Sequence, residues 1–148
     1  MTVRPAMPDD APPVAALFTH TRDTCMGYLP ELHTPAEDRA WMRDVVFKTC
    51  DVWVAELDGR LAGFLAMHDD VLAHLYVHPE LHNRGVGTSL LGKARELRPS
   101  GFRLWVFQQN AQARRFYERH GLQLAQLTDG ASNEERTPDA QYVWHPTS

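Results

Sequence analysis

Several features that define other classes of protein are scarce in this 148-residue chain. It has two cysteines, Cys25 and Cys50, which we expect to be reduced thiols and not a disulfide framework. No apolar run approaches the roughly 20 residues that span a bilayer. The opening residues 1–5 lack the apolar stretch of a signal peptide. We therefore expect a cytoplasmic protein with no membrane partner.

Basic residues are also few. Lys and Arg total 15 against 19 Asp and Glu, a formal net charge of -4, whereas nucleic-acid binders carry a basic surface. We therefore predict no nucleic-acid partner. The hydrophobic fraction of 43% and the length suit one domain over 1–148 with one core.

Hydrophobic periodicity and capping residues predict an alternation of strands and helices. Asp9 and Asp10 can cap a first helix that fails near Gly27, and Thr34 begins a second helix with a capping box. Asn110 caps a later helix. Strands are predicted at 2–7, 51–56, 61–67, 71–77, 102–107, 122–127 and 141–144, with a polar loop at 129–139. The order β-α-α-β-β-β-α-β-α-β-β indicates a mixed α/β fold.

A glycine loop follows the fourth predicted strand. Asn83-Arg84-Gly85-Val86-Gly87-Thr88 leads directly into a helix that carries Leu90, Ala94 and Leu97 at helical spacing. Glycines let backbone N–H groups approach a ligand closely, and the first N–H groups of a helix have no internal acceptor. The loop therefore suits an anion such as a pyrophosphate, although two glycines also fit a plain tight turn.

Two other phosphate loops fit the sequence poorly. A dinucleotide fingerprint needs a third glycine where Leu90 stands, and an acidic residue on the next strand, 102–107, which has none. A nucleotide-hydrolase loop matches Gly87 to Lys93 literally. However, Ala94 replaces the hydroxyl that would hold magnesium, and Leu90 and Leu91 lie on the inner face of a helix.

Two motifs together resemble the GNAT superfamily of N-acetyltransferases. The first is Leu75-Tyr76-Val77-His78-Pro79 leading into His82-Asn83-Arg84-Gly85-Val86-Gly87. The second is Asn110 followed by the helix Ala113 to Leu122, which contains the pair Phe116-Tyr117. The resemblance covers most of the chain and implies a mostly antiparallel sheet of about seven strands flanked by four helices. It also implies a sheet splayed between the fourth and fifth strands.

The resemblance implies acetyl-CoA as cosubstrate and a role for each residue of these motifs. The backbone of 75–77 would bind the pantetheine arm as an added strand, and Asn110 would contact that arm at the opening. Tyr117 would lie near the sulfur as the general acid. The predicted acetyl-CoA-binding residues are Leu75, Tyr76, Val77, His82, Asn83, Arg84, Gly85, Val86, Gly87, Thr88, Asn110, Ala113, Phe116 and Tyr117, with the amides of 83–88 on the pyrophosphate.

Two positions depart from the family pattern. His82 stands where the family usually has Gln or Arg, but binding there is largely by backbone, so we expect the loop to survive. Trp105 stands where some members, the ribosomal-protein N-terminal acetyltransferases among them, place a catalytic glutamate. Since Trp105 cannot act as a base, an acyl-CoA-binding or sensing module without turnover stays open as an alternative.

The chemistry requires a base, because an amine of pKa near 10.4 is unprotonated only about once in 2,500 at pH 7. We name His74 as the catalytic candidate, on the strand that should flank the acyl group. Asp69, Asp70, Glu31 and His33 stay open as alternatives. A free N–H on 75–77 is the natural donor to the oxyanion.

The acceptor is predicted only as a primary amine of a small molecule or peptide. Glu134 and Glu135 could attract a cationic acceptor, although a solvated turn is the simpler interpretation. His74 and His78 are about 13 Å apart along a strand, so we predict no metal. The chain is expected to be a monomer or a homodimer.

Overall fold

A seven-stranded sheet forms the centre of the protein, whose computed structural model describes residues 1–146. The strands are β1 (Thr2–Pro5), β2 (Asp51–Leu57), β3 (Arg60–His68), β4 (Val71–Val77), β5 (Phe102–Phe107), β6 (Gln123–Leu127) and β7 (Asp139–Trp144). The helices are α1 (Ala11–Cys25), α2 (Pro35–Trp41), α3 (Phe47–Thr49), α4 (Val86–Leu97) and α5 (Ala111–Arg119). The predicted order of elements is confirmed, with small differences at the strand ends.

Helices α2 and α3 are parts of one helical segment, joined by a π-helical stretch over Met42–Val46. Residues 1–146 therefore contain four α-helical segments, as predicted. Thr34 caps the start of α2, because its hydroxyl accepts from the Glu37 amide at 3.1 Å while the Glu37 carboxylate accepts from the Thr34 amide at 2.9 Å. The predicted capping box is confirmed.

The prediction that Asp10 caps α1 with its side chain is wrong. Asp10 stands at the N-cap position but makes no side-chain capping bond to α1. Its carboxylate instead accepts from the Arg4 guanidinium at 2.8 Å and from the Met7 amide at 2.7 Å. The hydrogen bond from Arg4 lowers the pKa of Asp10. A charged donor from β1 therefore outcompetes the neutral amides of the helix for this carboxylate.

The sheet is open in its middle. The strand order is β1-β2-β3-β4-β5-β7-β6, and β4 and β5 are the parallel pair in an otherwise antiparallel sheet. Within residues 1–146, the ladder between β4 and β5 registers a single pair, Val71 with Arg103, beside a hydrogen bond of 2.9 Å from the Arg103 amide to the Asp70 carbonyl. Beyond that pair the strands diverge, which confirms the predicted splay.

Apolar side chains fill both faces of the sheet. Helices α4 and α5 cover one face, where Leu90, Leu104 and Tyr142 are buried. The segments α1 and α2 cover the other face, where Phe18 and Phe64 are buried. Because the sheet is covered on both faces, its opening between β4 and β5 leads into the interior and not onto bare surface.

We expected two reduced cysteines and no membrane-spanning segment. Cys25 and Cys50 are free and half-buried. Among residues 1–146, no helix combines the length and the apolar character needed to cross a lipid bilayer.

Candidate active site

The backbone of β4 presents free hydrogen-bonding groups to the opening. The His78 amide donates to the Ala62 carbonyl of β3 at 2.8 Å, and the register continues without a shift through Leu75. Since inward and outward groups alternate in an antiparallel ladder, the backbone groups of Leu75 and Val77 point away from β3 and towards β5. The amides of both residues and the Leu75 carbonyl can pair with an added strand of a ligand, while the Val77 carbonyl accepts from His82.

A bulge in β4 lies where the opening begins. Met67 pairs with Leu72 and Ala66 pairs with His74, which leaves Ala73 without a partner on β3. The bulge explains why Leu72 and Leu75 pack into the same core although they are three residues apart. Such an insertion bends a strand, so the bulge helps β4 to diverge from β5.

The glycine loop forms the start of α4. Asn83 and Gly85 both have left-handed backbones, with φ of 64° and 81°, and Gly85 is the N-cap of α4. The first intrahelical bond runs from the Ser89 amide to the Gly85 carbonyl at 3.0 Å. The amides of residues 86–88 precede it and have no acceptor within the helix. Together with the helix dipole they form an anion site at one end of the opening.

His82 ties this loop to both sides of the opening. Its Nε2 lies 3.0 Å from the Val77 carbonyl and its Nδ1 lies 3.2 Å from the Gln112 side-chain amide nitrogen. An amide nitrogen only donates, so Nδ1 accepts and the proton is on Nε2. The His82 ring therefore links β4 to α5, which explains how the loop accommodates a histidine at this position.

Helix α5 forms the opposite wall. The Asn110 side chain accepts from the Ala113 amide at 3.2 Å, so the predicted N-cap is confirmed. A Cβ on Gly87 would lie 3.2 Å from the ring of Phe116, so the glycine lets α4 and α5 approach each other. Tyr117 is 7% exposed, and burial raises the pKa of its hydroxyl. The hydroxyl therefore stays protonated and has no hydrogen-bond partner among the described residues.

Two cavities meet at the opening. The loop-side cavity, of about 350 Å³, lies between the glycine loop and α5. The sheet-face cavity, of about 1000 Å³, lies among α1, α2, β4, β5 and the loop between β6 and β7. Six residues line both cavities, namely Met26, Leu75, Tyr76, Asn110, Ala113 and Tyr117. Tyr117 therefore stands where a ligand in one cavity would meet a ligand in the other.

Most of the predicted binding residues come together in the loop-side cavity. Its lining includes Leu75, Tyr76, Val77, His82, Asn83, Gly85, Gly87, Thr88, Asn110, Ala113, Phe116 and Tyr117. Arg84 and Val86 do not line it, because Arg84 is exposed and the Val86 side chain is buried in the core. These two positions contribute to the loop through their backbones alone.

The sequence did not reveal the contribution of α1 to this cavity. Thr21, Cys25 and Met26 line it opposite the glycine loop, and no motif marks them. The Thr21 hydroxyl is buried without a hydrogen-bond partner among residues 1–146. Since Thr21 lines this cavity, its hydroxyl is available to a polar group of a ligand there. From α5 the unpredicted residues are Gln112, Arg119 and His120, which helical spacing from Phe116 could have found.

His74 lies in an aromatic cluster and half-buried at the sheet-face cavity. Its ring centroid is 5.3 Å from Trp41, 5.8 Å from Phe18 and 6.1 Å from Tyr76. Burial lowers its pKa to about 4. The ring is therefore neutral at pH 7. It is too weak a base to remove a proton effectively from an alkylammonium group.

We expect His74→Phe to keep kcat within about threefold of the wild type, because a phenyl ring preserves the aromatic packing. The unfolded histidine protonates near 6.5 and the folded one near 4. The unfolded state therefore binds more protons between these values, and stability falls as pH falls through them. Urea unfolding should therefore show that the free energy of unfolding falls less between pH 7 and pH 5 in the variant than in the wild type. A hundredfold loss of kcat would instead identify His74 as the base.

The other candidate bases are dispersed. Asp70 pairs with Arg103 at 3.4 Å, and Asp69 lies 3.5 Å from His68. Neither lines the sheet-face cavity, and neither does Glu31, whereas His33 does and is bonded to Glu134. Trp105 is 42% exposed and also lines that cavity. In the part of the chain that the structure describes, no cluster of His, Cys, Asp or Glu could hold a metal ion.

A splayed mixed sheet with an anion-binding helix start at its opening is the architecture of acyltransferases that use coenzyme A thioesters. Residues 48–123, about half of the chain, match the family model described as an acetyltransferase (GNAT) domain. The chain belongs to the GNAT acetyltransferase family, and the predicted class, an N-acetyltransferase family that uses acetyl-CoA, is confirmed at that level.

Relatives of known name agree with this assignment. The chain is similar to the peptidyl-lysine N-acetyltransferase YiaC of Escherichia coli (strain K12), with 33% identity over 56% of this chain and 57% of that protein. The match thus spans little more than half of that relative. It is also similar to the probable N-acetyltransferase Rv2775 of Mycobacterium tuberculosis, with 29% identity over 99% of this chain and 86% of that protein.

The fold is shared with solved structures. The yncA protein of Salmonella typhimurium, solved with its cofactor acetyl-CoA, superposes with a TM-score of 0.73 at 18% identity. The match covers 100% of this chain and 95% of that one. The predicted GNAT-like architecture is therefore confirmed.

Proposed function

We propose that this protein transfers the acetyl group of acetyl-CoA to a primary amine of a small molecule or peptide, by direct attack of the amine on the thioester. The observation that carries the proposal is the meeting of the two cavities at Tyr117. One cavity suits the cosubstrate, the other suits an acceptor, and the reacting atoms would meet at the shared wall.

The loop-side cavity fits acetyl-CoA by the chemistry of its groups. The free amides of residues 86–88 suit the pyrophosphate. The Leu75 carbonyl and the Val77 amide suit the amides of the pantetheine arm. The unpartnered Thr21 hydroxyl, on the facing helix, gives that arm a further polar partner. When bound, acetyl-CoA supplies an activated thioester at the junction.

The backbone of β4 would stabilise the negative charge that develops on the thioester oxygen. A preorganised N–H aimed at such an oxygen is commonly worth about 100-fold in rate. Leu75 lines both cavities and its amide points into the opening. We therefore assign the Leu75 amide as the donor.

Tyr117 would act on the leaving sulfur. A tyrosine whose pKa is raised gives up its proton to a thiolate of pKa near 8.5 only uphill. We therefore assign Tyr117 as a hydrogen-bond donor that stabilises the sulfur, which leaves as a thiolate when the bond to the acyl carbon breaks and the bond from that carbon to the amine nitrogen has formed. The amine proton would leave through water in the sheet-face cavity, with no assigned role for His74.

The acceptor fits the larger cavity. It has room for an alkyl amine or a lysine side chain, and aromatic rings of Phe18, Trp41 and Tyr76 line it. The named activity of YiaC on peptidyl-lysine places a lysine side chain among the acceptors to be tried.

The first test is the shift in melting temperature with acetyl-CoA, measured beside ATP and NAD at equal concentration. A ligand at 100 times its Kd stabilises a protein by about 2.7 kcal/mol. For a domain of this size the midpoint should rise by roughly 5–10 °C. We expect a rise with acetyl-CoA alone. A rise with ATP or NAD alone would mean that the glycine loop holds a different ligand.

A second candidate function is an acyl-CoA-binding module without turnover. Trp105 favours it, because this exposed indole lines the cavity where some family members supply a glutamate. Release of free thiol in the presence of amines, followed after the melting shift, separates the two functions. Binding without thiol release over a broad amine panel would support the module.

A further inference from the structure

The loop between β6 and β7 is held in a fixed conformation beside the sheet-face cavity. Gly130 has φ of 82°, and a Cβ there would collide with the backbone of Thr137. The Asn133 side chain donates to the Thr137 carbonyl at 2.7 Å and accepts from the Thr137 amide at 3.1 Å. The Thr137 hydroxyl in turn donates to the Glu135 carbonyl at 3.0 Å. These bonds position Glu135.

The same loop is tied to the segment between α1 and α2. His33 Nε2 lies 2.5 Å from the Glu134 carboxylate, and this hydrogen bond raises the pKa of His33. His33 and Glu134 both line the sheet-face cavity. The bridge therefore engages the Glu134 carboxylate at the edge of the cavity and does not involve the neighbouring Glu135.

Acidic groups dominate the sheet-face cavity. Five carboxylates line it against one arginine. Four of the five are engaged in hydrogen bonds within residues 1–146, and these belong to Glu37, Asp38, Glu134 and Asp139. Glu135 is half-buried, and within the same residues its carboxylate has no hydrogen bond or ion pair. A charge in such a place gains from a cationic partner.

Glu135 lines the sheet-face cavity and does not line the loop-side cavity. Tyr117 lines both cavities. The unengaged carboxylate therefore lies in the cavity assigned to the acceptor, which Tyr117 borders.

We propose that Glu135 binds the ammonium group of the acceptor, and that the acidic lining admits aliphatic amines without a carboxylate. The class comprises alkyl amines, diamines and lysine side chains, while free amino acids are disfavoured by the neighbouring carboxylates. The inference rests on the proposed function, because it assigns the sheet-face cavity to the acceptor. Glu135 would be a specificity-determining residue that holds the amine in the cavity that Tyr117 borders.

The test is a binding titration with 1,4-diaminobutane, butylamine and 4-aminobutyrate, which differ in the group at the far end of a short chain. The indole N–H signals of Trp41 and Trp105, which line the cavity, report binding in 1H–15N NMR spectra. We expect 1,4-diaminobutane to bind about tenfold more tightly than 4-aminobutyrate. Glu135→Gln should weaken the binding of 1,4-diaminobutane and of butylamine by about tenfold each, because both lose the carboxylate that binds their ammonium group.

A matched control is Glu96→Gln, which removes the same charge from an exposed position paired with Lys93 on α4, and it should bind as the wild type. Nα-acetyl-lysine methylamide, which mimics a lysine within a peptide, shows whether the natural acceptor is a peptide or a free amine. Tighter binding than that of butylamine indicates a peptide, and weaker binding indicates a free amine. The inference would be overturned by equal affinities for the three titrated compounds, by no binding of any amine, or by wild-type affinities in Glu135→Gln. The melting shift with acetyl-CoA tests the loop-side cavity. Absence of that shift would therefore mean that the proposed function is wrong, whatever the amine titrations show.

Discussion

Tyr117→Phe should lower kcat by about 100-fold, as is typical when one hydrogen-bond donor to charge that develops in the transition state is removed, and leave the Kd for acetyl-CoA within about twofold. The phenyl ring preserves the packing of this buried side chain against Phe116 and Tyr142. What the variant removes is the hydroxyl at the junction of the two cavities. Steady-state release of free thiol gives kcat, and calorimetric titration gives the Kd.

Tyr28→Phe is the matched control. The Tyr28 hydroxyl is also buried, has no hydrogen-bond partner among residues 1–146 and does not line either cavity. Removing it should leave kcat unchanged and cost no stability, since a buried unpaired hydroxyl is itself unfavourable. If Tyr117→Phe turned over as fast as the wild type, Tyr117 would have no role at the sulfur.

Gly63→Ala should lower the free energy of unfolding by about 2 kcal/mol, a typical cost of overpacking a core. A Cβ at Gly63 would lie 2.6 Å from the Tyr76 carbonyl, 3.0 Å from Leu90 and 3.2 Å from Val86. Relief requires a shift of β4 or of the start of α4, and both form the loop-side cavity. We therefore expect a fall of roughly 4–8 °C in Tm and weaker binding of acetyl-CoA.

Gly92→Ala tests the same substitution where nothing opposes it. No atom lies within 4 Å of a Cβ built at Gly92, in the middle of α4. Alanine favours a helix over glycine by roughly 0.5–1 kcal/mol, so this variant should be slightly more stable. Thermal unfolding of both proteins checks the pair. A Gly63→Ala protein as stable as the wild type would show that β4 moves freely.

Much of the fold could be predicted because local chemistry and tertiary packing favour the same structure. Thr34, Pro35 and Glu37 define a helix start that no distant contact opposes. Asn110 caps α5 for the same reason. Asp10 behaved differently because Arg4, six residues away and on β1, offered a charged partner. A local rule fails where the tertiary fold brings a stronger partner to the same group.

The cosubstrate side of the site could be predicted and the acceptor side could not. The glycine loop and α5 carry their roles in residue spacing, because backbone conformation and helix ends do the binding. The sheet-face cavity is lined by residues from seven separate helices and strands, besides the loops between them. The role proposed for Glu135 depends on the hydrogen bonds of the neighbouring carboxylates, and only the structure shows that Glu134 is bonded to His33. The burial that lowers the pKa of His74 is likewise a property of the assembled fold.

The single residue pair between β4 and β5 divides the sheet into a four-stranded and a three-stranded part. Strands held by few cross-ladder bonds open more readily than a continuous ladder, so the two parts behave as separate cooperative units. A pantetheine arm laid between them would complete the ladder and join the units. Acetyl-CoA would then slow amide hydrogen exchange well beyond its contact residues, as far as β7. In this protein the cosubstrate would complete the architecture as well as supply the group that is transferred.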